Sequence, residues 1–157
     1  MSARSIFDDA PLGAIVQFSD GAARPPARFT KKLAAWENHN GRGRLVRKAP
    51  ARTVGSYTSP ASFSLHLNDY GSSGVVVLKV FKTFSVDSAL TFSVVERPAP
   101  GSVRVLDRPG ETGELVHLAC NRADAETWLK SHGYPDAVLD ELIEGDGVAA
   151  SRDGRAA

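Results

Sequence analysis

Ser62-Phe63-Ser64-Leu65-His66-Leu67-Asn68 alternates without a break, with Phe63, Leu65 and Leu67 on one face and serine, histidine and asparagine on the other. Side chains of an extended chain point to opposite sides in turn, so this period of two reads as a half-buried β-strand. Residues 89–96 repeat it, with Leu90, Phe92 and Val94 together. Residues 75–84 open on Val75-Val76-Val77-Leu78, apolar on both faces, which predicts a strand at the centre of a sheet. Shorter strands are expected over 14–19, 43–48, 102–106 and 114–120, with a loop over 48–60. The turns between successive strands are short, which favours antiparallel pairing in a meander.

Helical periodicity appears in three places. Phe29, Leu33 and Trp36 share one stripe of an expected helix over 27–39, entered through Pro25-Pro26 and stopped at Asn40-Gly41. Asn121 can cap a second helix, with Asp124 three residues on and Ala125, Trp128, Leu129 and His132 along its stripe. Gly133 ends it and Pro135 can open a third, whose apolar face would be Val138, Leu139, Leu142 and Ile143. The expected architecture is α+β: a curved, mainly antiparallel sheet of about five to seven strands, with one N-terminal and two C-terminal helices packed against it. Residues 1–11 read as a mobile N-terminus, 12–144 as a single domain and 145–157 as a disordered tail.

At 157 residues the chain is long enough for one stable core. Cys120 is its only cysteine, so neither an intrachain disulfide nor a multi-thiolate metal site can form. The first nine residues do not resemble a signal peptide, and no apolar run approaches the length of a membrane span. The chain therefore reads as cytoplasmic, with no membrane partner and no cofactor.

The total charge of +1 conceals a strong polarity. Arg24, Arg28, Lys31, Lys32, Arg42, Arg44, Arg47, Lys48 and Arg52 lie within one stretch whose single acid is Glu37, while the chain beyond Asp107 carries a net excess of acids. Clustered cations attract phosphate or an acidic protein surface. The expected contacts are Arg28, Lys31 and Lys32 on the helix, with Arg42, Arg44, Arg47 and Lys48 on the following strand or arm. Arg42-Gly43-Arg44 is similar to the core of an AT-hook, with Leu45 where that motif has proline.

No catalytic motif accompanies these cations. His39, His66, His117 and His132 are scattered, no His-Glu-x-x-His or Cys-x-x-Cys pattern occurs, and the glycines form no nucleotide-binding fingerprint. Cys120 precedes a helix N-terminus, but a small buried apolar residue is the simpler reading. The sequence thus describes a small non-enzymatic binding protein that engages nucleic acid through a basic helix-plus-arm surface. The alternative is a protein-interaction module docking on a protein partner, or pairing as a homodimer through opposite charge patches, with Asp136, Asp140, Glu141, Glu144 and Asp146 as its acidic surface. A third reading is an enzyme for a phosphorylated substrate, with arginine clamps and His117 or Asp107 as base.

Overall fold

The computed structural model describes residues 1–143. Helix α1 (Ala3–Asp9) precedes strand β1 (Ile15–Ser19), helix α2 (Thr30–Glu37) and strand β2 (Gly41–Ala49). A small hairpin follows, β3 (Arg52–Val54) and β4 (Tyr57–Ser59), and then the long pair β5 (Ser62–Ser72) and β6 (Val75–Ser85). Strands β7 (Thr91–Glu96), β8 (Val103–Leu106) and β9 (Leu115–Ala119) lead to helix α3 (Arg122–Lys130) and strand β10 (Val138–Glu141). The fold is α+β and mainly antiparallel, as the alternating segments require. Its strands form a five-stranded sheet in the order β6-β5-β2-β1-β7, a three-stranded sheet β10-β8-β9, and the β3-β4 ribbon.

One face of the five-stranded sheet carries Val16, Phe18, Leu45, Phe63, Leu65, Phe84 and Phe92, all buried in one cluster. The rings meet at 5.0 Å (Phe18–Phe84), 5.4 Å (Phe63–Phe92) and 5.2 Å (Phe84–Phe92). Phe84 and Phe92 belong to the two edge strands, so the edges approach each other over this face. Helix α1 seals the cluster with Ala3 and Ile6, and Ala10 beyond it completes the seal. A second cluster joins Val103, Val105, Ala119 and Ala125 between the three-stranded sheet and α3, with Trp128, Leu129 and Leu139 packed against it.

Five expectations require correction. Residues 1–11, expected to be mobile, form α1, whose Ser2 side chain caps the Ser5 N–H at 3.2 Å. The apolar positions Ala3, Ile6 and Ala10 are spaced by three and four, a short stripe that a search for longer periods passes over. The helix at 27–39 shrinks to Thr30–Glu37 and buries none of its residues. Its stripe packs back on the preceding loop: Trp36 donates from Nε1 to the Ala22 carbonyl at 2.9 Å, and Arg24 lies over the indole. The apolar run opening β6 is not central. β6 is an edge strand, and the β5–β6 hairpin extends past β2, leaving Val75, Val76, Val77 and Leu78 exposed.

The fourth correction concerns the chain end. The second C-terminal helix is instead β10, paired antiparallel with β8 in a register that sets Asp140 opposite Arg104, and the two side chains form an ion pair. Pairing with the exposed side of β8 outweighs a helical stripe only four residues wide. Residues 48–60, expected as loop, close as a hairpin around Gly55, whose φ of +62° suits glycine. The proposed tail at 145–157 lies outside the described residues.

Replacement of Phe63 or Phe92 by alanine should lower unfolding free energy by about 3–5 kcal/mol, the usual loss for a buried aromatic. Trp36→Ala, at a half-exposed site, should cost less than about 2 kcal/mol. Urea unfolding followed by circular dichroism measures both, and equal losses would contradict this placement of the core.

Candidate polyanion-binding surface

The seven expected contact residues divide among three environments. Arg28, Lys31 and Lys32 are exposed at the start of α2. Phe29, also 41% exposed, stands at the N-cap and supplies no capping bond. The Arg28 guanidinium lies 4.8 Å from the centre of its ring and the Lys32 ammonium 5.2 Å from it. The negative face of an aromatic ring favours nearby cations and holds these two together.

This arrangement opposes ordinary helix electrostatics. The N-terminal end of a helix carries partial positive charge and unpaired N–H groups, so acids and side-chain acceptors are stabilising there and cations are not. The first turn of α2 contains no acid, no side-chain cap and two lysines. Among the described residues none of Arg24, Arg28, Lys31 and Lys32 forms an ion pair. The loop before the helix is held firmly: buried Asn40 donates to Asp20 Oδ1 and to the Trp36 carbonyl at 2.9 Å each, and accepts from Ser19 Oγ at 2.8 Å. The N–H of Ala22 and the Asn40 amide hold the Asp20 carboxyl below its ordinary pKa.

The other four residues lie on β2, which is the middle strand of the five-stranded sheet and not an arm. Strand alternation sends their side chains to different faces. Arg42 is exposed, on the face away from the phenylalanine cluster. Arg44 is half-buried on the same face and donates to the Gly13 carbonyl at 2.6 Å. The ladder between β2 and β5 shifts between Leu45 and Arg47, a β-bulge. Beyond it Arg47 is half-buried, and Lys48 lies over the Phe7 ring of α1 on the core side. Burial lowers the Lys48 pKa against the opposing pull of Asp8 and Asp9. Gly43 has a packing role: a Cβ there would sit 2.7 Å from the His66 carbonyl, so the Arg-Gly-Arg spacing follows from close strand approach.

Sequence reasoning missed Lys79 and paid little heed to His66. His66 stands opposite Phe81 in the register, and its Nε2 is 2.6 Å from Asp69 Oδ1. The polar side of the strictly alternating segment was the available signal. Of the two candidate bases, His117 stacks on Trp128 at 4.7 Å, while Asp107 accepts from the Glu114 N–H at 2.8 Å. Cys120 is exposed, not buried. Among the described residues there is no group of three or more histidine, cysteine or acidic side chains placed to hold a metal ion, and no helix long and apolar enough to cross a membrane.

Trp128 stacks with both His117 and His132, the latter ring at 3.9 Å. Burial lowers the His117 pKa below its usual 6.5; Asp124 opposes this and His132 adds to it. The neutral form therefore favours the fold. Its contribution is complete above about pH 6.5 and is lost as pH falls from there through the lower folded value. The thermal midpoint should fall between pH 7.5 and 5, and fall less in His117→Phe, which keeps a stacked ring without a proton to gain. Parallel midpoint curves for the two proteins would refute this.

Comparison with other proteins adds the family. No curated protein and no solved structure matches the chain. The family model that matches spans residues 1–146, and the chain belongs to the family described as Uncharacterised conserved protein UCP036055.

Proposed function

We propose that the protein binds nucleic acid, with its phosphate backbone seated at the start of α2. One observation carries this reading: Arg28, Lys31 and Lys32 crowd a helix N-terminus that has no side-chain cap and, among the described residues, no neutralising acid. Such an arrangement is repulsive in the free protein. An anion at that point relieves it, accepting from the free N–H groups of the first turn while pairing with the side chains. Phe29, exposed between two of the cations, offers a ring on which an unpaired base can stack. Arg24 adjoins the same loop, and Arg42 supplies a further exposed cation on the sheet. Arg44, Arg47 and Lys48, which are half-buried, are secondary in this reading.

A second reading, docking on a protein partner, is favoured by the exposed apolar residues of the β5–β6 hairpin. Tyr70 and Val77 are 55% and 79% exposed, and β6 offers an open sheet edge. A partner that adds a strand to β6 satisfies its free backbone groups and covers the valines.

Fluorescence anisotropy with labelled duplex and single-stranded oligonucleotides separates the two. Nucleic-acid affinity should fall steeply between about 50 and 200 mM salt and depend little on base sequence. Each lysine contact removed from a duplex complex should reduce the logarithmic salt slope by about 0.9, so Lys31→Ala with Lys32→Ala should lower it by nearly two. Their stability should be unchanged or slightly raised, because the helix end loses repulsion. Absence of binding at about 50 mM salt would eliminate the nucleic-acid reading.

A further inference from the structure

The face of the five-stranded sheet opposite the phenylalanine cluster carries adjoining clefts. The central one, about 280 Å³, has Arg44, His66 and Phe81 on the sheet, Asp69 and Lys79 at the hairpin, and residues 114–118 as its wall on the β9 side. A smaller one, about 210 Å³, continues from it past Arg47 and Glu114. A third, about 370 Å³, extends the other way past Arg42 and Glu96.

Their polar groups are placed for an anion. Arg44 spends one guanidinium N–H on the Gly13 carbonyl, leaving the others. Lys79 stands opposite Asp69 in the strand register, but Asp69 is engaged by His66 at 2.6 Å. With its Nε2 held by that carboxylate, the His66 ring has a fixed orientation and its second nitrogen is available. In the neighbouring cleft Arg47 Nε is shut off from solvent and bonds to nothing among the described residues. A buried guanidinium N–H without an acceptor is unfavourable, and native structures rarely keep one without a reason. Arg104 Nε is in the same state, but its guanidinium is paired with Asp140; Arg47 has no acid partner among the described residues. The central cleft is therefore bordered by one arginine, a lysine and an oriented imidazole, with a second arginine in the cleft that continues from it.

We propose that the central cleft is a binding site for a small phosphate monoester, independent of the α2 surface. Arg44 and Lys79 hold the phosphate head and His66 donates or accepts at its edge. Glu114, on the opposite wall, accepts a hydroxyl of the organic part. A doubly charged head matches an arginine and a lysine better than a single carboxylate does, and the cleft accommodates a head group with a short polyol.

Isothermal titration calorimetry on the full chain, with glycerol 3-phosphate, inorganic phosphate and glycerol as probes, tests the assignment. Glycerol 3-phosphate should bind, inorganic phosphate should bind more weakly, and glycerol should give no heat. Lys79→Ala and His66→Gln should each weaken binding by about tenfold or more. Both positions lie on the hairpin side of the sheet away from the core, and circular dichroism should show both variants folded. Lys31→Ala with Lys32→Ala should leave binding unchanged. The proposal fails if no heat appears with either phosphate up to about 10 mM. It also fails if folded Lys79→Ala and His66→Gln both bind as the parent does, or if binding is lost with the two α2 lysines, which would place the phosphate at the helix.

Discussion

Four phenylalanine rings, Phe18, Phe63, Phe84 and Phe92, hold the five-stranded sheet in the form that positions everything else. They come from β1, β5, β6 and β7, and only β2 of that sheet contributes no ring. Because two of them belong to opposite edge strands, their contact draws those edges together and lets the short connection over residues 86–90 join them. The opening that remains is filled by α1. The segment with the least evident pattern in the chain thus closes its largest core. At the other end of the cluster Lys82 extends over the Phe18 and Phe84 rings and donates to the Asn38 carbonyl, tying the sheet to the end of α2.

This core also explains how the positive charge is distributed. β2 crosses the middle of the sheet, so its alternating residues must be shared between a dry face and a solvated one. Leu45 takes the dry side, Arg42 and Arg44 take the other, and the bulge after Leu45 turns Lys48 toward α1. The cations of α2 are under no such constraint, because that helix buries nothing. One basic stretch of sequence is therefore divided into an exposed cluster on a helix and a set of cations bordering concavities on the sheet. The proposed ligands follow this division, a long polyanion for the first and a compact head group for the second.

Much of the fold was legible in the sequence. Period-two alternation located β5 and β7, and a short apolar run located β1. The Asn121 cap was read correctly: its side chain accepts from the Asp124 N–H at 2.8 Å. What misled was apolar content without partners. Val75-Val76-Val77-Leu78 has the composition of a central strand, but none of the described residues supplies neighbours on its outer side. Val138 and Leu139 fit a helix and a strand equally well over so short a span, and only the neighbouring β8 decides between them. The candidate site was legible as a charge count and not as a surface. Register, which places Lys79 opposite Asp69 and Phe81 opposite His66, is a property of pairing between separate segments and leaves no local trace.

The two edges of the large sheet differ. At β7, Met1 pairs through both backbone groups with Phe92, at 2.7 and 2.8 Å, so the N-terminus takes one position of that margin. At β6 nothing comparable lies alongside among the described residues. A strand added along β6 would meet an edge open among the described residues, whereas one added along β7 would meet Met1 at Phe92. The two margins are thus unequal as templates, and it is the β6 side that displays valines with the composition of a fibre-forming segment.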